Sequence, residues 1–430
     1  MRILALVSLA LSTSVAAALL AACSGSQLPI GAPDAMPLAR TFAPTHLTVR
    51  RRTSSYRVLY SFGGYAKDGI EPQAGLIGVD GTLYGTTRAD STRICGEFSI
   101  CGTVFSITTG GAEKVLHTFG KGTDGYSPHA GLIDVDGTLY GTTPYGGTAG
   151  DGVVFSITTG GKEKVLYSFG GGAEGATPEA SLIDVNGTLY GTTRYGGGGN
   201  CHDSGGTGCG TVYSVSTSGV ETVLHSFTGV KGDGAHPAAS LIDVRGKLYG
   251  TTLFGGKGQL GTVFRISTTG EEHVLHSFYS GAGSSEDGAV PAAALLGVNG
   301  VLYGTTQSGG YYHDGTGGTV FSITTTGKEH VIHDFGSGND GIGPLAALVE
   351  VSGTLYGTTE SGGQYQYGTI FSISTTGEEH VLHSFGGSPD GARPFADLIS
   401  VNGTLYGTTY FGGAYGGASG GDGTVFWLTP

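Results

Sequence analysis

The chain has 430 residues, of which 84 are glycine, and its formal net charge is −13. This acidic charge disfavours nucleic acid as a partner, and the lack of a three-residue glycine period excludes a collagen-like fibre. Methionine is scarce and helix-favouring stretches are few, so substantial helix is not expected.

Residues 1–23 are predicted to be a lipoprotein signal peptide. Arg2 is followed by an apolar stretch over residues 3–20, and Leu20-Ala21-Ala22-Cys23 resembles the lipobox of bacterial lipoproteins. The resemblance implies lipidation of Cys23, export, and attachment to a membrane through the lipid. Ser24 favours the bacterial outer membrane, facing either the periplasm or the exterior. An ordinary cleaved signal peptide is the alternative.

Residues 24–56 are predicted to be a flexible, proline-rich tether. Four prolines occur between residues 29 and 44, and no alternation of apolar and polar residues indicates a strand. The repeats then occupy residues 57–430.

The pentapeptide Leu-Tyr-Gly-Thr-Thr occurs seven times, with a mean spacing of about 54 residues. Its tyrosines are Tyr84, Tyr140, Tyr190, Tyr249, Tyr303, Tyr356 and Tyr406. Each repeat has four β-patterned segments, which in the second repeat cover residues 130–135, 138–143, 152–157 and 164–169. The pattern predicts an all-β fold, a seven-bladed β-propeller of four-stranded antiparallel blades, with a β-solenoid as the alternative.

The connections between the segments distinguish the two faces of the predicted ring. Asp-Gly or Asn-Gly joins the first segment to the second in most repeats, and this dipeptide favours a tight hairpin. A glycine-rich loop joins the second segment to the third, and an Asp-Gly-x-x-Pro loop leads to the next repeat. Both long loops are expected on one face, here called the long-loop face, where binding sites are usually found.

The ends of the repeat region predict how the ring closes. Residues 58–62 match the fourth segment of the other repeats, and residues 423–428 match a third segment with no fourth after it. The N-terminal strand is therefore predicted to complete blade seven, which removes an exposed sheet edge. A monomer is expected.

Four cysteines remain besides the one in the lipobox. Cys101 and Cys209 each precede Gly-Thr-Val, so the pairs Cys95/Cys101 and Cys201/Cys209 occupy the same loop in different repeats. In an exported protein such pairs are predicted to form disulfides. A zinc site built from all four cysteines is the alternative.

The repeated segments Gly-Thr-Leu-Tyr-Gly-Thr-Thr and Gly-Thr-Val-Phe-Ser-Ile resemble the GloVer tandem-repeat family of bacterial exported proteins, over residues 57–430. That family joins its repeats to varied surface anchors, of which a lipoprotein signal is one. The resemblance implies a periplasmic or cell-surface location. It implies no reaction, so no catalytic residue is transferred.

Aromatic residues next to glycine on the long-loop face are typical of adaptable binding surfaces, and such rings also stack on sugars. The candidate ligand-binding residues are Tyr145, Tyr195, Phe254, Tyr311, Tyr312, Tyr365, Tyr367 and Phe411, with the pairs His202-Asp203 and His313-Asp314. They predict a non-catalytic binding or scaffold module for a glycan or a protein. One alternative is an exported glycan lyase or hydrolase that uses His202 and His313. Another is that the rings only cover the loops beneath them.

Two further polar positions recur and are expected to be structural. The first carboxylate of each Asp-Gly-x-x-Pro loop is expected to form a turn, with calcium binding as the alternative; these residues are Asp68, Asp124, Glu174, Asp233, Asp287, Asp340 and Asp390. A packing role is expected for the fourth-segment residues Tyr60, His117, Tyr167, His225, His276, His333 and His383. No metal site and no cofactor are predicted.

Overall fold

The structure is a computed structural model that describes residues 54–92, 101–203, 205–279, 287–312, 315–415 and 420–430, except for the side chain of Asp203. These residues form seven four-stranded antiparallel sheets. The sheets are the blades of a seven-bladed β-propeller, which confirms the fold predicted from the repeat. Cys23, Cys95, His313 and Asp314 lie outside the described residues.

The strands recur in the same order in every blade. The first strands are Ile77–Val79, Ile133–Val135, Ile183–Val185, Ile242–Val244, Leu296–Val298, Val349–Val351 and Ile399–Val401. The second are Thr82–Thr87, Thr138–Thr143, Thr188–Thr193, Lys247–Thr252, Val301–Thr306, Thr354–Thr359 and Thr404–Thr409. The third are Thr103–Thr108, Val153–Thr158, Thr211–Ser216, Thr262–Ile266, Thr319–Thr324, Thr369–Ile373 and Thr424–Thr429. The fourth are Glu113–Thr118, Glu163–Ser168, Glu221–Ser226, Glu272–Ser277, Glu329–Asp334, Glu379–Ser384 and, for blade seven, Ser55–Ser61.

Two-residue strands pair within the long loops. The ladders are Gly69–Ile70 with Ala89–Asp90, Gly125–Tyr126 with Tyr145–Gly146, Gly234–Ala235 with Phe254–Gly255, Gly341–Ile342 with Ser361–Gly362, and Gly391–Ala392 with Phe411–Gly412. Each ladder joins the loop that enters a blade to the loop between its second and third strands. A separate hairpin pairs His202–Asp203 with Gly206–Thr207.

Close packing explains the glycine of the repeated pentapeptide. In blade one, a Cβ atom on Gly85 would lie 2.7 Å from the Phe105 ring and 2.8 Å from the Leu76 side chain. A side chain at this position would therefore overlap the core. The equivalent glycines are equally confined, with nearest atoms at 2.5–2.7 Å: Gly141, Gly191, Gly250, Gly304, Gly357 and Gly407.

The two threonines of the pentapeptide form buried hydrogen bonds of different kinds. The Thr86 hydroxyl donates to the Ala130 carbonyl of the next blade at 2.9 Å, so this position joins neighbouring blades. The Thr87 hydroxyl lies 2.7 Å from the Thr103 hydroxyl of the same blade. The inter-blade bond recurs all round the ring and includes the bond from Thr408 of blade seven to Ala74 of blade one at 3.1 Å.

The hydrophobic core lies between the blades. Phe62, which follows the strand completing blade seven, packs edge-to-face on Phe105 of blade one with ring centroids 5.1 Å apart. The other six junctions contain equivalent pairs at 5.0–5.4 Å: Phe119–Phe155, Phe169–Tyr213, Phe227–Phe264, Phe278–Phe321, Phe335–Phe371 and Phe385–Phe426. Each blade therefore depends on its neighbours for burial of its apolar side chains.

The ring closes as predicted, by pairing between the first and last strands of the described chain. Ser55–Ser61 runs antiparallel to Thr424–Thr429, with Val58 opposite Phe426 and Tyr60 opposite Val425. The closing strand begins at Ser55, before the expected start of the propeller at residue 57. The reason is that Ser55 also pairs, with Thr429, and so extends the ladder.

Candidate functional site

The long-loop face carries all the exposed tyrosine and phenylalanine rings of the described residues. Nine tyrosine or phenylalanine side chains are exposed there, by 39% to 71%. They are Tyr65, Tyr145, Phe254, Tyr279, Tyr311, Tyr312, Tyr365, Tyr367 and Tyr415. Phe411, also a candidate, is half-buried. The face therefore presents several separated apolar rings on a largely polar, glycine-rich surface.

Main-chain pairing fixes the backbone at two of these rings. Tyr145 belongs to the ladder with Gly125–Tyr126, and its ring stacks on that of Tyr126 with centroids 5.4 Å apart. Phe254 belongs to the ladder with Gly234–Ala235. A ring that is already fixed loses less conformational entropy when a ligand binds.

Tyr195 differs from the other predicted aromatic residues because it is only 5% exposed. The hairpin at His202–Asp203 covers it, since a Cβ atom on Gly206 would lie 2.7 Å from the tyrosine ring. The predicted Cys201–Cys209 disulfide is present and closes this hairpin. Tyr195 is therefore part of the support of the face and is not an exposed ring.

Of the two histidines proposed for an alternative catalytic role, the structure describes only His202. His202 is exposed on the hairpin over Tyr195, whereas His313 and Asp314 lie outside the described residues. Cys101 is disulfide-bonded, and its predicted partner Cys95 also lies outside them.

A cavity of about 260 Å³ opens between blades six and seven on the long-loop face. Tyr367 and Phe411 contribute aromatic walls, and Ser388 and Arg393 contribute polar groups. The Arg393 guanidinium lies 5.8 Å from the centroid of the Phe411 ring. This combination of rings with a few polar groups is common in small ligand sites.

The central channel opens on the same side through a polar cavity of about 130 Å³. Asp397 lines it and accepts a hydrogen bond from the Ala347 amide at 2.6 Å, and burial among the surrounding strands raises the pKa of its carboxyl. Near the channel, the Arg88 guanidinium donates to Glu71 at 2.9 Å and to the Tyr410 hydroxyl at 3.0 Å. The Tyr410 hydroxyl also donates to Glu71 at 2.9 Å, so Arg88, Glu71 and Tyr410 bond to one another.

A second polar arrangement repeats around the outer side of the ring, where one blade meets the next. Between blades one and two, His117 Nε2 lies 3.0 Å from Asp124 Oδ2, and Asp124 Oδ1 accepts from the Gly125 amide at 2.8 Å. Glu163, which begins the fourth strand of the next blade, brings a carboxylate oxygen to the same place. We call this group of three side chains a seam cluster.

The seam cluster occurs in two forms among the described residues. Histidine, aspartate and glutamate meet in four junctions: His117–Asp124–Glu163, His225–Asp233–Glu272, His276–Asp287–Glu329 and His333–Asp340–Glu379. Elsewhere tyrosine enters the cluster: Tyr60 donates to Asp68 at 3.0 Å, Tyr167 donates to Glu174 at 2.8 Å, and the Tyr56 ring stacks on His383.

The seam glutamates are held in an unfavourable environment for a carboxylate. Burial, with Asp124 close by, raises the pKa of Glu163 to about 7. The Oε1 atom of Glu163 is buried and has no hydrogen-bond partner. The same two features recur at Glu113, Glu221, Glu272 and Glu379.

The seam cluster corrects the sequence-based interpretation of two positions. The aspartates form turns as expected, but they also bond to the histidines, which were expected only to pack. The glutamates are a third member of the cluster that the sequence-based interpretation misses. Their signal was present, because a glutamate begins the fourth strand in six of the seven blades.

A comparison with family models identifies the family of this chain. The Gloeobacter/Verrucomicrobia repeat matches at residues 44–203, 99–317 and 199–426, which together cover all but the last few residues of the described propeller. The chain belongs to the Gloeobacter/Verrucomicrobia repeat family. This confirms the resemblance stated from the repeated segments. A comparison with curated proteins gave no match.

Solved structures similar to this Gloeobacter/Verrucomicrobia repeat protein have quite different names. A gluconolactonase from Xanthomonas campestris is 12% identical, with a TM-score of 0.41 over 87% of this chain and 89% of that one. A putative 6-phosphogluconolactonase from Bacteroides uniformis is 13% identical, with a TM-score of 0.47 over 78% and 89%. The N-terminal domain of Nup159 is 10% identical, with a TM-score of 0.47 over 88% and 96%. At these identities no activity is carried over to the present chain.

Within the described part of the chain, no helix has the length and apolar character needed to cross a membrane.

Proposed function

We propose that this protein is a lipid-anchored, extracytoplasmic propeller that binds a glycan or a protein on its long-loop face without catalysing a reaction. The observation that carries the proposal is the placement of the nine exposed aromatic rings, all of which lie in long loops. The lipid anchor is proposed from the sequence of residues 20–23.

The chemistry of the rings favours recognition by stacking. A tyrosine ring offers an apolar surface to the face of a sugar or to an apolar side chain, while its hydroxyl can bond to a polar neighbour. Tyr365 and Tyr367 are 52% and 46% exposed, and Tyr367 forms one wall of the cavity between blades six and seven. This pair is therefore the best place to test the proposal.

The experiment is a glycan array probed with protein lacking residues 1–23, followed by affinity measurements on the glycans it retains. The Tyr365→Ala/Tyr367→Ala variant is expected to bind at least tenfold more weakly, because losing two stacking rings costs more than about 1.4 kcal/mol. Val220→Ala is the matched control, since Val220 is 69% exposed but lies in a tight turn of the opposite face. Unchanged affinity in the tyrosine variant, or an equal loss in the control, would contradict the proposal.

A protein ligand is tested with the same variants. Cross-linking on intact cells that make the tagged chain should capture a partner with the wild type and with Val220→Ala. Capture should be lost with the tyrosine variant. Equal capture by all three proteins would place the binding surface elsewhere.

A further inference from the structure

We propose that the four His–Asp–Glu seam clusters each bind a divalent transition-metal ion, such as Zn²⁺, that joins one blade to the next. This differs from the expectation of no metal site. The site is not apparent in the sequence, because the glutamate comes from the repeat that follows the histidine and the aspartate.

The spacing of the ligand atoms suits a single ion. In each of the four clusters, the histidine nitrogen and the two carboxylate oxygens all lie within 4.8 Å of one another. The histidine nitrogen lies 3.0 Å from Asp124, 3.6 Å from Asp233, 3.1 Å from Asp287 and 3.1 Å from Asp340. Tetrahedral zinc with bonds of about 2.0–2.2 Å places its ligand atoms roughly 3.3 Å apart. Small side-chain rotations would bring all three atoms onto one ion.

The type and charge of the ligands favour a transition metal over calcium. Imidazole nitrogen and carboxylate oxygen are both ligands that zinc and related ions accept, whereas calcium takes about 6–8 oxygen ligands. Two carboxylates also neutralise a divalent cation. A fourth position stays free for water.

The clusters also contain acceptors that the protein itself leaves unsatisfied. The Oε1 atoms of the glutamates in all four clusters are buried without a hydrogen-bond partner: Glu163, Glu272, Glu329 and Glu379. A buried acceptor without a partner is costly. A cation between the glutamate and aspartate would remove that cost. A proton shared by the two carboxyl groups is the competing explanation, and titration with Zn²⁺ separates the two.

Solvent reaches the proposed ligands. His333, Asp340 and Glu379 together line an open cavity of about 510 Å³ at the junction of blades five and six. The side chain of His333 is 19% exposed and that of Asp340 is 9% exposed. An ion can therefore enter from bulk water and still bind in a mostly buried position.

The ring supplies its own control junction. His383 lies 3.0 Å from Asp390, as in the four clusters. Tyr56 occupies the position of the glutamate there, and its ring stacks on His383 with centroids 3.7 Å apart. Because this junction lacks one carboxylate ligand, it is not expected to hold the ion.

The test uses the whole, untagged chain after removal of metals with a chelator. Zn²⁺ is titrated against a chromophoric chelator, and the bound metal is then measured by elemental analysis. We expect four equivalents for the wild type, three for His276→Ala and three for Glu329→Gln. His383→Ala should keep four. Co²⁺ bound in place of Zn²⁺ should give visible absorption bands. Their intensity should be a quarter lower in His276→Ala and in Glu329→Gln than in the wild type.

Several outcomes would overturn the proposal. One is binding of less than one equivalent of Zn²⁺ by the folded wild type, which would favour a shared proton. Another is an equal loss of metal in His383→Ala and His276→Ala. A third is retention of all four equivalents by Glu329→Gln, whose circular dichroism would report folding independently of the metal.

Discussion

Replacing two seam glutamates by glutamine is expected to stabilise the propeller at alkaline pH and to have little effect at acid pH. Glu113 and Glu221 lie in the two junctions where tyrosine replaces histidine, and burial raises the pKa of each carboxyl to about 7. The folded chain therefore holds two protons that the unfolded chain releases at a lower pH. Their stabilising effect is fully present below the ordinary carboxyl pKa and is lost as the pH rises through about 7.

The size of the effect follows from the pKa difference and the exposure of the side chains. A rise from an ordinary pKa near 4.5 to about 7 corresponds to roughly 3 kcal/mol for each group. Both side chains are partly exposed, and solvent screening reduces this to about 1 kcal/mol each. Glutamine resembles the protonated carboxyl and does not ionise. The Glu113→Gln/Glu221→Gln variant should therefore be more stable than the wild type by about 2 kcal/mol at pH 8, and equal to it within about 0.5 kcal/mol at pH 4.

The assay is urea unfolding at pH 4, 6 and 8, followed by the fluorescence of Trp427, the single tryptophan of the chain. Glu271→Gln is the control, because the Glu271 side chain is 71% exposed and lies outside the seams. Its stability should follow that of the wild type at every pH. The reasoning fails if the double variant gains nothing between pH 4 and pH 8, or if the control gains as much.

Two further predictions concern the repeat and the anchor. Gly250→Ala should destabilise the propeller by about 1–3 kcal/mol in urea unfolding, because its Cβ atom would lie 2.6 Å from the Phe264 ring. The control is Gly78→Ala, which should be tolerated because the nearest atom to its Cβ would be 3.4 Å away. Equal losses of stability in the two variants would contradict this account of the pentapeptide. Cys23→Ala should abolish metabolic labelling with a palmitate analogue and release the chain from the membrane fraction of a bacterial host, and persistent labelling would refute the proposed lipid anchor.

The internal repeats made the architecture predictable because each blade repeats the same contacts. Asp136 and Gly137 both have positive φ, at 52° and 78°, as the Asp-Gly hairpin signal requires. The closing strand was predictable because residues 58–62 resemble a fourth strand without the three before it. Seven copies of one pattern thus revealed strand order, turns and closure without any knowledge of packing.

The candidate sites were less predictable, because they depend on contacts between residues far apart in the chain. Tyr195 looks like its counterparts Tyr145 and Phe254 in sequence, and only the covering hairpin shows that it is buried. In the same way, His117 and Asp124 lie seven residues apart, whereas Glu163 joins them from the next blade. Periodicity identifies equivalent positions, but it does not show which of them meet across a junction.

The two candidate sites lie in different parts of the fold, so substitutions that affect stability can be distinguished from substitutions that affect ligand binding. The seam clusters lie where every blade needs its neighbour, so changes that alter their charge should act on the stability of the ring. Tyr365 and Tyr367 are exposed on loops whose backbone is held by main-chain pairing, such as the ladder at Gly341–Ile342. Their removal should therefore cost binding and leave the unfolding midpoint nearly unchanged. Because similar packing holds every blade, the side chains of the long loops can differ from blade to blade without loss of the fold. Such variation is what an adaptable binding surface requires.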